Sequence, residues 1–149
     1  MRKATRKTAK LADPQQNAVY EFEARFAGWN QSKLSVAECR AILRRACKSF
    51  GVETPSLTTR KGRDCHYVYN RANGKPDVIR LGRETGRNEA AVLHEASHHI
   101  LRKLGLGRLD HGPTFLGLYL RLLEMNEVAP RGALYAWARI HGLRWRSKN

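Results

Sequence analysis

The chain has 149 residues and 42% hydrophobic content, which suits one domain with one core and argues against disorder throughout. It contains 28 Lys and Arg against 13 Asp and Glu, a formal net charge of +15. No apolar run of about eighteen residues occurs and no signal-type apolar segment follows the basic N-terminus, so a membrane span is excluded and a cytoplasmic location is expected. The charge imbalance says nothing about fold, but it points to polyanionic partners, nucleic acid above all. The three cysteines, Cys39, Cys47 and Cys65, are odd in number and widely spaced. They read as reduced, mostly buried thiols and not as a disulfide framework or a metal ribbon.

Residues 1–12 hold five basic residues and no acidic ones, the pattern of a flexible basic arm. The remainder, 13–149, reads as a single domain. Asp13-Pro14 looks like a helix start, with Asp13 as N-cap and the helix running to Gly28. Val19, Phe22 and Phe26 fall at helical spacing on its apolar side. Ser35, with Glu38 three residues on, forms a capping box for a second helix. That helix buries Ala41, Ile42, Leu43, Ala46 and Phe50, turns Arg40, Arg44, Arg45 and Lys48 elsewhere, and stops at Gly51.

Residues 53–63 are polar and rich in turn formers, consistent with a loop or an irregular strand. The segment 65–70 and the run Val78–Leu81 have strand patterns, and Asn73-Gly74 between them makes a hairpin. Thr85 or Asn88 caps a third helix that reaches Leu104, with Gly105 as its C-terminal cap. Its expected core stripe is Leu93, Ala96, Ile100 and Leu104. Pro113 opens a fourth helix to about Met125, and Pro130 a fifth, in which Trp137 is assigned to the core. The resulting class is α+β, mostly helical, with a small hairpin or sheet before the third helix.

That third helix carries His94-Glu95-Ala96-Ser97-His98. Residues four apart share one helix face, so both imidazoles can reach one ion. Glu95 sits one step round, placed to take a proton from a water without being a ligand. Neutral nitrogen ligands, an open position and a nearby base are what hydrolytic zinc chemistry needs. One zinc per chain is therefore expected, with Glu95 as catalytic base. A third ligand must come from elsewhere. Leu101 and Leu104 occupy the positions at which metzincins need Gly and His, and Leu104 also breaks the zinc endoribonuclease spacing. Glu124 on the next helix, Asp110, and His111 remain, with His111 the strongest.

The segment His111-Gly112-Pro113-Thr114-Phe115 follows the H-E-x-x-H helix after a short linker. With that double signature, H-E-A-S-H then H-G-P-T-F, residues 30–126 resemble the SprT-like (Spartan-type) zinc metallopeptidases. The resemblance implies a minimal zincin-like metalloprotease core. It also implies zinc on His94, His98 and His111, Glu95 as catalytic carboxylate, Gly112 turning the loop close to the metal and Phe115 packing behind it. A protein or peptide substrate is expected, its backbone pairing with the hairpin strand that ends at Leu81. The four-cysteine ribbon of many family members has no counterpart here, so the hydrolytic core carries over better than any repair pathway. A compact stand-alone domain of this kind suits a bacteriophage or mobile element.

His99 points about 100° away from His98 and should not share the metal. It is assigned to the helix surface or to the ligands' surroundings, and His66 to a structural role. Asp110 either orients an imidazole or caps the next turn. Tyr67, Tyr69, Tyr119 and Tyr135 are candidates for stabilising an oxyanion. Basic clusters occur at Arg2–Lys10, Arg40–Lys48, Arg60–Arg63, Arg80–Arg87 and Arg139–Lys148. Candidate nucleic-acid contacts are Arg2, Lys3, Arg6, Lys7 and Lys10 in the arm, and Arg144, Trp145 and Arg146 in a frayed tail, where Trp145 can stack on an unpaired base. Single-stranded DNA, bound without sequence preference, is the favoured polyanion. The rival reading is a non-catalytic DNA- or RNA-binding module that keeps a structural or vestigial zinc. Glu95 speaks against it, since a structural site has no use for a base.

Overall fold

The computed structural model describes residues 13–25, 33–69, 77–106 and 110–146. The basic arm at 1–12, with Arg2, Lys3, Arg6, Lys7 and Lys10, lies outside the described residues, as do Phe26, Gly28 and the hairpin turn at 70–76. The elements in chain order are α1 (Gln16–Ala24), α2 (Val36–Ser49), β1 (Ser56–Arg60), β2 (His66–Val68), β3 (Val78–Gly82), α3 (Glu89–Leu104), α4 (Pro113–Met125) and α5 (Arg131–Ile140). No described helix is long and apolar enough to cross a membrane.

Local signals place several of these elements. Ser35 accepts a hydrogen bond from the Glu38 amide at 3.0 Å, and the Glu38 carboxylate accepts from the Ser35 amide at 2.8 Å, closing the capping box of α2. Asn88, and not Thr85, caps α3 by accepting from the Ala91 amide at 2.9 Å. Gly105 ends α3 in the left-handed conformation (φ 67°), where a side chain would strain the backbone.

The sheet has the order β1-β3-β2, with β2 antiparallel to β3, as the hairpin reading expects, and β1 parallel to it. Two expectations change. Residues 56–60 form a regular strand, because β3 supplies hydrogen-bonding partners from Ser56↔Val78 to Arg60↔Gly82. The strand ending at Leu81 is central, with both edges paired, so it cannot add a substrate strand. β2 is the edge on its side of the sheet.

Helix α3 packs against α2, α4 and the strands β2 and β3. Every residue from Ala90 to Leu101 is buried, so this is a central helix enclosed on all sides, not a surface helix with one apolar stripe. Leu93, Ala96 and Ile100 are in the core as expected, but Leu104 is 42% exposed, because α3 has run past its neighbours there. Cys39 and Cys47 are buried, Cys65 is half-buried, and all three are free thiols. A mostly helical chain with a small mixed sheet ahead of the motif-bearing helix is a zincin-like α+β core.

The C-terminal segment is docked where a frayed tail is expected. Leu143 is buried, the Arg146 amide donates to the Pro113 carbonyl at 3.0 Å, and Gln15 binds the Arg144 backbone in both directions at 2.6 and 3.2 Å. Trp145 is half-buried, its ring 5.6 Å from that of Tyr135 with the Arg139 guanidinium 5.5 Å over it. Trp137 also packs on the core. The chain passes so close to α4 that a Cβ at Gly117 would lie 2.3 Å from the Arg146 carbonyl oxygen.

This close approach predicts the sign of two substitutions. Replacing a helical glycine by alanine ordinarily stabilises by about 1 kcal/mol. Gly117→Ala should instead destabilise, by about 1–3 kcal/mol, because the added methyl meets backbone. Gly132→Ala in α5 meets nothing within 4 Å and should be neutral or stabilising. Urea unfolding of the two variants beside wild type checks both signs.

Candidate metal centre

Helix α3 presents His94 and His98 one turn apart, and the loop leading into α4 brings His111 to them. One nitrogen from each of the three buried imidazoles lies within 4.8 Å of the others, the only such group of His, Cys, Asp or Glu among the described residues. Glu124 and Asp110 stay outside it. Glu124 accepts a hydrogen bond from Tyr135 at 3.3 Å and lines a separate cleft with Leu104 and Trp145. Asp110 accepts from the Gly112 amide at 3.1 Å, turning the chain into α4. Gly112 itself has an ordinary φ of −76°. The tightness there is steric, since a Cβ would sit 3.3 Å from the Asp110 carboxylate.

Phe115 packs behind the cluster. Its ring stacks on His98 at 4.5 Å and meets His94 and His111 edge-on at 5.0 and 4.9 Å. His99, turned away from the cluster, is buried and not on the surface. It meets the Glu53 carbonyl at 2.8 Å and the Tyr67 hydroxyl at 3.1 Å, tying α3 to the sheet side. His66 sits exposed beside Arg60, at 2.9 Å.

The imidazoles are held from a direction that the sequence pattern does not reveal. His111 Nδ1 contacts Asp13 Oδ2 at 2.8 Å, and Asp13 Oδ1 accepts from the His111 amide at 3.0 Å. Asp13 therefore does not cap α1. The helix begins three residues later, at Gln16, with no side-chain cap. His94 Nδ1 pairs with the Glu23 carboxylate, which is fully buried. A signal for Glu23 exists in hindsight, since it falls inside the apolar face of Val19 and Phe22, where a carboxylate needs a partner. Tyr20, on the same helix as Glu23, stacks on His94 with ring centroids 5.8 Å apart.

These residues fit a divalent cation. With each Nδ1 engaged by a carboxylate, the Nε2 atoms of His94 and His111 face each other at 3.0 Å, two lone pairs with no proton required between them. That is close to the separation of about 3.3 Å between nitrogens bound tetrahedrally to zinc. His98 Nδ1 is buried without a hydrogen-bond partner. Burial first, then the neighbouring imidazoles, hold His94 and His98 well below the usual histidine range, which leaves them neutral, the ligating form. Burial pushes Glu23 up to about 8. Burial, then Glu23, pushes Glu95 up to about 8 as well. A bound cation would favour the charged form of both carboxyls, which burial opposes.

A cleft of about 500 Å³ opens beside the cluster, lined by Tyr20, Arg63, Asp64, His66, His94 and Glu95 among others. Of the three ligands, His94 borders this space, beside Glu95. Structural zinc sites are instead closed by four protein ligands.

Elemental analysis should find about one zinc per chain, as three protein ligands and an open position require. Ala at His94, His98 or His111 should abolish or greatly weaken binding. Asp13→Asn and Glu23→Gln should each weaken it by about 10–100-fold while leaving the ligands in place. Chelation of the metal should lower Tm, since zinc binds the folded site and little else. Full zinc affinity in both carboxylate variants would remove α1 from the metal centre.

Comparison of the chain with models of known protein families, with curated proteins and with solved structures finds no match. The assignment rests on the site itself. His94-Glu95-x-x-His98 with His111 forms a zinc-binding triad that matches the SprT-like architecture, suited to a single Zn²⁺, and it makes the chain a metal-dependent hydrolase.

Proposed function

We propose that the chain is a zinc metallopeptidase in which Glu95 acts as general base. The observation that carries this reading is the position of Glu95. Its carboxyl adjoins the ligand His94, is buried, and lines the same cleft. Zinc, when bound, supplies Lewis acidity and a water acidified to near neutrality. The carboxylate of Glu95 takes the proton from the attacking water and carries it toward the departing amine. His94, His98 and His111 would hold the ion, while Asp13 and Glu23 hold two of them in orientation.

Glu95→Gln keeps shape and hydrogen bonding but removes the base. It should fold, hold one zinc and lose hydrolysis of a generic protein substrate by on the order of 10²-fold or more. Undiminished proteolysis in that variant rejects Glu95 as the base. If zinc-loaded wild type cleaves no peptide, the reading of a non-catalytic nucleic-acid-binding module with a structural zinc gains.

The finer proposal is that its substrates are proteins associated with DNA, in the cytoplasm of the cell that makes it. The support is charge, +15 on 149 residues, with Arg144 and Arg146 exposed at the docked C-terminal segment. Trp145, half-buried between them, has less of its ring to offer a base. Binding to a single-stranded oligonucleotide should weaken steeply with salt, at a log–log slope of about −0.7 per phosphate contacted. Deleting residues 1–10 removes five basic groups and should flatten that slope while sparing zinc. Weak or salt-insensitive binding at low ionic strength would leave a general peptidase.

A further inference from the structure

All five tyrosines lie among the described residues, and four are committed elsewhere. Tyr67 donates its hydroxyl to Asp77 at 2.6 Å. Tyr69 lies under the Arg102 guanidinium, 4.2 Å from its ring centroid. Tyr119 donates to the Ala90 carbonyl at 3.2 Å, and Tyr135 to Glu124 at 3.3 Å. None of the four lines the cleft beside the metal centre.

Among the described residues, Tyr20 hydrogen-bonds through its side chain only to Gln16, one turn back in its own helix, and stands on the cleft wall. It is 44% exposed and lines that cleft with His94 and Glu95. Its ring lies nearly parallel to that of His94, with an interplanar angle of 11°, and edge-on to His111 at 5.6 Å. The phenol is therefore carried by a ring resting on two of the three ligands. Its backbone is held on both sides: Asp13, seven residues before, is bound to His111, and Glu23, three residues after, is bound to His94. The three-residue spacing puts Tyr20 and Glu23 on one side of α1, and Asp13 reaches the same cluster from the turn before it. A donor held this way needs little reorganisation when charge develops in front of it. His66, also on the cleft wall, has its ring beside Arg60.

We infer that Tyr20 is a catalytic residue of the hydrolysis proposed above, donating a hydrogen bond to the carbonyl oxygen of the scissile amide as that oxygen gains negative charge. The phenol keeps its proton throughout. The bond it makes strengthens as the water oxygen adds to the carbonyl carbon, and relaxes when the C–N bond breaks and the proton held by Glu95 leaves with the amine. At neutral pH an ordinary tyrosine is a donor, so no ionisation is required. This inference rests on the peptidase reading.

The test is Tyr20→Phe, which retains the ring on His94 and removes only the hydroxyl. Zinc content and KM for a peptide substrate should match wild type, while kcat falls by about 10²–10³-fold, the usual effect of losing one oxyanion donor. Affinity for a phosphonamidate peptide, whose tetrahedral anion resembles the charged oxygen, should fall in parallel, and affinity for the product peptide should not. Wild-type kcat and wild-type phosphonamidate affinity in Tyr20→Phe overturn the assignment and leave the peptidase intact. An altered visible spectrum of the cobalt-substituted, substrate-free variant also overturns it, since Tyr20 would then be a ligand. A wild-type enzyme that cleaves no peptide overturns the peptidase reading and this inference together.

Discussion

Two carboxylate–imidazole contacts hold the centre of this protein together. Asp13 meets His111 across 98 residues of sequence, and Glu23 meets His94 across 71. Each fixes a ring that must present its other nitrogen to a shared ion, one from α1 itself and one from the turn that leads into it. Removing a carboxylate from water is costly unless opposite charge compensates it. The fully buried Glu23 carboxyl has His94 as its ion-pairing partner, and a cation on that imidazole would favour its charged form. Docking of α1 and assembly of the metal centre become one event, so α1 is part of the metal centre and not a decoration of it.

The surrounding packing leaves the ligands little freedom. Helix α3 is buried along three turns, and the side chains that line its core flanks, Leu93, Ala96 and Ile100, prevent it from rotating. Phe115 covers the rear of all three imidazoles, and Tyr20 covers His94 and His111 from the cleft side. What remains open is the cleft bordered by residues 63–66, where Glu95 is reached. A rigid triad with one accessible side is the arrangement that hydrolysis requires, because a closed set of ligands would leave no place for water.

The positive charge is distributed with structural purpose as well. Arg40 donates to the Leu57 carbonyl, Arg87 to the Leu34 carbonyl, and Arg102 to Asp77. These side chains keep their charge and add to the field around the molecule, but their geometry is already committed to joining α2, α3 and the sheet. Contacts to phosphate would fall to residues with freer side chains, such as the exposed Arg144 and Arg146.

The sequence by itself determined whatever is set by neighbours one helical turn apart. His94 and His98 share a face because they are four residues apart. The same local geometry makes the Ser35–Glu38 box and the Gly105 stop readable, and narrows the cap of α3 to Thr85 or Asn88. His111 was legible through its Gly and Phe companions. Only the tertiary structure decided the rest. Asp13 has the signature of a helix cap, yet its oxygens go to His111, because a buried imidazole is a better partner than amides that water can satisfy. Residues 56–60, readable as a loop or an irregular strand, become a regular strand because β3 offers a parallel partner, which in turn makes β3 central. Tyr20 and Glu23 acquire their meaning from rings 71 to 91 residues further along. Helical periodicity encodes which side chains share a face, but not which distant face they will meet.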